Sequence, residues 1–145
     1  MLLSQTTKPI FLRKLKSILL VDDDETTNFL NKFFIRQVDA GLPVYIAEHG
    51  KEAISQLKQR NQEEDFPCLL ILDTNMPVMN GWEFLNAFAE QFDEAFRSQV
   101  TIVMLTALDT EENRKLALAC PDVTDTVQKP LSDLKYRVLI NRYFS

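Results

Sequence analysis

A chain of 145 residues, 46% hydrophobic and 26% charged, has the composition of one globular domain with a core of its own. Its net charge of −5 argues against the basic face that nucleic-acid binding requires. No run reaches the ~18 consecutive apolar residues of a membrane span, and no apolar signal-peptide core precedes small cleavage-site residues, so no membrane or export role is expected and the cytoplasm is the expected location.

Lys8, Arg13, Lys14 and Lys16 make a weak basic patch, and residues 1–16 read as an N-terminal extension ahead of one domain over 17–145. Ser17 to Val21 (SILLV), Leu69 to Leu72 (LLIL) and Thr101 to Leu105 (TIVML) are short, continuous apolar or β-branched runs. Such runs suit strands buried on both faces of a parallel sheet. Val44 to Ala47 (VYIA) and Thr124 to Gln128 (TDTVQ) are weaker, as expected nearer the edges.

The intervening stretches carry helical periodicity. Phe29, Leu30, Phe33, Phe34 and Val38 give the first helix a wide apolar face, and Gly41 and Pro43 end it. Ala53, Ile54 and Leu57 mark the second helix; Leu85, Phe88, Phe92 and Phe96 the third; Leu116 and Ala117 the fourth. Leu134, Val138 and Asn141 place a fifth at the C-terminus, while residues 61–67 (NQEEDFP) read as a polar loop. Cys68 and Cys120 fit no metal-ligand spacing and are expected to be buried free thiols. Alternating strands and helices imply an α/β domain: a parallel sheet with helices on both faces, whose ligands bind beyond the carboxyl ends of the strands.

What stands at those ends is therefore the informative feature. Asp22, Asp23 and Asp24 follow the first strand, Asp73 the third, Thr106 the fourth and Lys129 the fifth. Each has a local alternative: Asp22 with Glu25 fits a helix-capping box, Asp73 or Thr106 could cap a turn, and Lys129 could be a solvated loop residue. Together, acids, a hydroxyl and a lysine on one rim are the groups that phosphoryl transfer needs. Carboxylates hold Mg2+ and one of them can act as nucleophile, while a lysine and a hydroxyl meet the charge on the phosphoryl oxygens. Clustered acids repel one another, so the site is expected to need Mg2+.

The pieces 18-ILLVDDDE-25, 73-DTNMPVMNG-81, 105-LTA-107 and 129-KP-130, in this order, resemble response-regulator receiver domains over about Lys16 to Tyr143. The resemblance implies a flavodoxin-like, doubly wound (βα)5 sheet with strand order 2-1-3-4-5. It implies that Asp73 is the phosphoacceptor for a histidine kinase or a histidine phosphotransfer protein. Asp22 (through water), Asp23, Asp73 and the carbonyl of Asn75 would hold Mg2+. Thr106 and Lys129 would contact the phosphoryl group, and Lys129–Pro130 would be a cis peptide. Asn75 and Leu108 correspond to the pair that tunes phosphoryl lifetime. Thr126 stands three residues before Lys129, where the family usually has the aromatic ring of its activation switch. The chain ends straight after the fifth helix, so a downstream protein contact, on parts of Glu111 to Ala119, Thr126 and Asp133 to Leu139, is the expected output.

A phosphohydrolase with an aspartyl-phosphate intermediate is the first alternative. It would want an acid two residues after Asp73, where Asn75 stands. A receiver-like scaffold indifferent to phosphorylation is the second. His49 reads as a solvated loop histidine away from the acids. Trp82 and Phe84 read as packing residues of the third helix, with Trp82 near enough to the acids to report Mg2+ binding.

Overall fold

The structure is a computed structural model that describes residues 12–60, 62–108 and 110–145. Five strands, β1 (Ser17–Val21), β2 (Val44–Ala47), β3 (Cys68–Leu72), β4 (Val100–Thr106) and β5 (Val123–Gln128), form one parallel sheet in the order β2-β1-β3-β4-β5. The expected topology holds. The helices among the described residues are α1 (Glu25–Val38), α2 (Gly50–Gln59), α3 (Gln62–Asp65), α4 (Gly81–Gln91), α5 (Glu94–Arg97), α6 (Glu111–Leu118) and α7 (Asp133–Tyr143).

The central strands β1 and β3 are buried along their whole length, because the sheet is covered on both faces. Alternate residues feed two separate cores. Leu19, Val21, Leu70, Leu72, Ile102 and Met104 pack with α2 and α4, whereas Ile18, Leu20, Leu69, Ile71, Val103 and Leu105 join the core that also holds Ile35, Tyr136 and Leu139. The strict period of two in each strand decides which helix layer a residue meets.

Several expectations need correction. The apolar stripe of α1 is only partly turned to the core: Phe29, Leu30 and Phe33 are exposed, Phe34 and Val38 are half-buried against it, and the buried positions are Asn28, Asn31 and Ile35. In α7, Leu134 and Val138 are likewise exposed, and Tyr136 and Leu139 are buried instead. In α6, Leu116 is exposed and Ala117 buried. The third helix stops at Gln91, and Phe96 belongs to the separate turn α5. Its aromatic spacing still makes sense, since Phe84, Phe88, Phe92 and Phe96 stack in a row with centroids 4.6–5.6 Å apart across the break. The polar loop at 61–67 contains the one-turn helix α3.

Lys8 lies outside the described residues, but the end of the extension packs on the domain. Leu15 is buried, and the Arg13 carbonyl accepts a hydrogen bond from the Ser145 N–H at 3.0 Å. Cys68 and Cys120 are both free, with Cys68 fully buried and Cys120 only half-buried. Burial pushes the Cys68 thiol up to about 11, so it is an inert core group.

Candidate functional site

β1 and β3 are neighbours in register, Val21 beside Leu72, so the residues that follow them emerge side by side. The Asp73 N–H donates to the Val21 carbonyl and the Asp22 N–H to the Ala47 carbonyl, which extends the ladder one residue past each strand. Both carboxyls are thereby held at the rim and nearly buried, each 4% exposed, while Asp23 turns outward. Carboxylate oxygens of Asp22, Asp23 and Asp73 lie within 4.8 Å of one another.

Lys129 comes from the end of β5. Its backbone N–H donates to the Thr106 carbonyl, and its Nζ lies 2.7 Å from Asp73 Oδ1. The Lys129–Pro130 peptide is cis, as the resemblance implies, and Phe66–Pro67 is cis as well. Asp73 Oδ1 also accepts the Thr74 N–H at 2.9 Å, whereas Oδ2 takes no hydrogen bond from the described residues. The Thr106 hydroxyl is buried and unpartnered. It stands in the lining of a cavity of about 340 Å³ together with Thr74, Asn75, Trp82 and Leu108. Asn75 and Leu108 therefore line one cavity that Thr74, the residue after Asp73, also lines. Trp82 lies on its rim, 42% exposed, and not in the core, while Phe84 is fully buried as expected.

The electrostatics follow from this crowding. Burial raises the Asp22 carboxyl above the usual carboxylate range; the Asp24 N–H opposes that and the Asp73 charge adds to it. Burial acts to lower Lys129, but its hydrogen bond to Asp73 and the surrounding negative charges outweigh that and hold the ammonium above its ordinary pKa. A hard divalent cation fits this donor set. Three carboxylates converge, and Asp22 Oδ2 is buried without a partner, an oxygen that a cation or its water would satisfy.

The segment after Asp73 explains its own residue choice. Met76 is buried under the rim, and Val78 turns the chain with φ of 66°, an unusual backbone for a β-branched residue. Asn80 then caps α4: its Oδ1 accepts the Glu83 N–H at 2.9 Å while the Glu83 carboxylate accepts the Asn80 N–H at 3.0 Å. Gly81 must be glycine, since a Cβ there would sit 2.5 Å from the Asp73 carbonyl oxygen.

Asp22 is not a capping residue. Asp24 holds the N-cap of α1, two residues on, and its N–H donates to Asp22 Oδ1 at 2.9 Å. Thr106 caps nothing either, because Thr110 caps α6. His49 is half-buried and not a solvated loop residue: its Nδ1 accepts the Glu52 N–H at 3.1 Å and caps α2. Thr126 lies half-buried on β5 beside Met104, in a groove lined by Asp125, Leu134 and Val138 that is separate from the cavity lined by Thr106 and Asn75. The sequence pattern did not reveal Asn28, whose side-chain amide donates to the Asp22 carbonyl at 2.8 Å inside the protein. It sits in a window dominated by aromatic residues, and only the true phase of α1 turns it inward.

This sheet carries its acids, threonine and lysine on one rim, the groups that phosphoryl transfer needs. The chain belongs to the response regulator receiver domain family, whose model matches residues 18–141. It is 30% identical to a two-component response regulator of known structure from Cytophaga hutchinsonii, with a TM-score of 0.78 and coverage of 90% of this chain and 98% of that one. It is 34% identical to a 14.6 kDa protein from the sodA1 3' region of Leptolyngbya boryana, over 87% of this chain and 88% of that protein. It is also 33% identical to the transcriptional regulatory protein CpxR of Escherichia coli K12, over 82% of this chain but only 45% of CpxR. A receiver of this family is a signalling phosphoacceptor and not a classical enzyme. No helix among the described residues is long and apolar enough to cross a membrane.

Proposed function

We propose that Asp73 accepts a phosphoryl group from a phosphohistidine, carried by a histidine kinase or a histidine phosphotransfer protein in the cytoplasm, and that the acyl phosphate switches a protein–protein contact. The observation that carries this reading is the pairing of Lys129 Nζ with Asp73 Oδ1 at 2.7 Å beside two further carboxylates. That pairing occupies one oxygen of Asp73 and leaves Oδ2 for the phosphorus.

In the transfer, Asp73 Oδ2 attacks phosphorus as the N–P bond of the donor breaks. The electron pair returns to the imidazole nitrogen, while the other ring nitrogen carries the proton. Lys129 then exchanges its carboxylate partner for a phosphoryl oxygen, and the Thr106 hydroxyl donates to another; both meet charge that grows during transfer. Mg2+, held by Asp22 (through water), Asp23, Asp73 and the Asn75 carbonyl, would supply the remaining charge neutralisation. Asn75 offers no acid or base two residues from the nucleophile, which favours a retained phosphoryl group over enzymatic turnover and leaves only slow self-dephosphorylation.

Output fits the surface of α6, β5 and α7. There Leu134 and Val138 are exposed around Thr126, whose small side chain replaces the usual aromatic switch, and Leu116 is exposed on α6. Beryllofluoride with Mg2+ should shift the backbone amide resonances of Thr106, Ala107 and Lys129, and neither the Asp73→Asn variant nor a chelated sample should respond. Equal shifts in Asp73→Asn would sink the reading. Leu108→Glu should shorten the acyl-phosphate lifetime by admitting water to the shared cavity, and an unchanged decay rate would show that Leu108 does not control it.

A further inference from the structure

Two buried polar atoms behind Asp22 are left unexplained by phosphoryl transfer. Asn28 Oδ1 and the Tyr136 hydroxyl are both buried with no hydrogen-bond partner. Asn28 lies in α1 and Tyr136 in α7, helices that pack against each other, and both residues are almost wholly enclosed. The orientation of Asn28 is settled by its neighbour. The Asp22 carbonyl can only accept, so the amide nitrogen faces it at 2.8 Å and Oδ1 is presented on the other side as an acceptor.

Tyr136 supplies the complementary group, a donor. It sits within the apolar core formed by Ile18, Leu20, Ile35 and Leu105, where a phenylalanine would pack without any polar cost. Its phenol is pushed far up, by burial first and then by the negative charge of Asp22, so it stays a neutral donor and its hydroxyl feels that carboxylate. Neither atom has a hydrogen-bond partner among the described residues, so one enclosed water bonded to both would satisfy the donor and the acceptor together.

We propose that Asn28 and Tyr136 are positioning residues for the metal-ligating turn. Tyr136 O–H orders Asn28 Oδ1 through that water, Asn28 Nδ2–H grips the Asp22 carbonyl, and the turn that carries the Asp22 carboxylate is thereby held in place. This rests on the reading of Asp22 as a metal ligand. Groups behind a metal site that orient its ligands commonly affect affinity about 10–100-fold. Here the grip is on the ligand's backbone, so the lower end of that range is expected.

The test is a Mg2+ titration of the full chain, followed by the amide resonances of Asp22, Asp23 and Asp73, in wild type, Tyr136→Phe, Asn28→Leu and the double variant. Asn28→Leu should weaken Mg2+ about 10-fold, at the lower end of such effects, and Tyr136→Phe should weaken it less. In the double variant, Tyr136→Phe should add nothing to Asn28→Leu, because the tyrosine acts only through the asparagine. Tyr136→Phe removes one oxygen from a packed side chain and keeps the fold, so it secures the test if Asn28→Leu proves unstable. Unchanged affinity in Tyr136→Phe, with or without a change in melting temperature, would overturn the proposal, and so would additive losses in the double variant. A wild type that binds no Mg2+ would overturn the reading of the site itself, and this inference with it.

Discussion

Helices α1 and α4 both start at the rim, after β1 and β3, and both carry a row of aromatic residues. They use those rows in opposite ways. α4 buries Phe84, Leu85 and Phe88 against the sheet, as its periodicity implies, while α1 buries Asn28, Asn31 and Ile35 and turns Phe29, Leu30 and Phe33 to the outside. The difference lies in what each helix passes. α4 leaves the rim at Gly81 and thereafter buries only apolar residues, Phe84, Leu85, Ala87 and Phe88. The first turns of α1 run beside Asp22, whose backbone carbonyl and carboxylate need polar neighbours. An apolar stripe marks the core face of a helix only where the helix has no buried polar group to satisfy.

The largest test of this contrast is Phe88→Ala. Phe88 is 1% exposed and lies between Phe84 and Phe92, so its removal should cost about 3–5 kcal/mol in chemical denaturation. A loss below about 0.5 kcal/mol, the level of an ordinary surface change, would mean that the aromatic row of α4 is no more structural than that of α1. Next comes Gly81→Ala, in which the added methyl meets the Asp73 carbonyl oxygen at 2.5 Å. Separating backbone from methyl should cost about 1–3 kcal/mol, the usual range for overpacking. It should also impair Asp73 as an acceptor, since the atom displaced is the acceptor's own.

On the polar side of α1, Asp22→Asn should make the Mg2+-free protein more stable at neutral pH. The folded state raises the Asp22 pKa, so it binds that proton more readily than the unfolded chain does. The advantage of the variant should therefore shrink as pH falls from neutral through the raised pKa. Melting curves across that range check the sign, and a gap that widens on acidification would contradict it. The smallest effect belongs to Phe33→Ser. Phe33 is 52% exposed, and its loss should leave stability within about 0.5 kcal/mol of wild type. A substantial loss there would show that the outward stripe of α1 packs against something in the folded chain.

The same contrast separates what was legible in the sequence from what was not. Strands could be read almost to the residue, β1 and β2 entirely so: burial on both faces leaves β1 a continuous apolar run with sharp ends, and the half-buried edge strand β2 still reads as a short β-branched and aromatic run. Asp22, Asp73 and Thr106 were readable for the same reason, each standing at or just after the end of an apolar run, whereas Lys129 follows the weaker strand β5. Helices were readable as helices, but their rotation was not. In α1 and α7 several apolar residues of the read stripe, Phe29, Leu30, Phe33, Leu134 and Val138, lie outside, and the buried Tyr136 gave no periodic signal. His49 as a helix cap and Asn28 as a grip on Asp22 both depend on side-chain direction, which composition and spacing do not carry.

The central claim is that Asp73 takes a phosphoryl group at this rim. Intact-mass and peptide mass spectrometry after incubation with acetyl phosphate and Mg2+ address it directly. The expected result is a single phosphoryl adduct on the peptide containing Asp73, absent from Asp73→Asn and from wild type treated with chelator. An adduct that persists in Asp73→Asn, or none in the wild type with Mg2+ present, would contradict it.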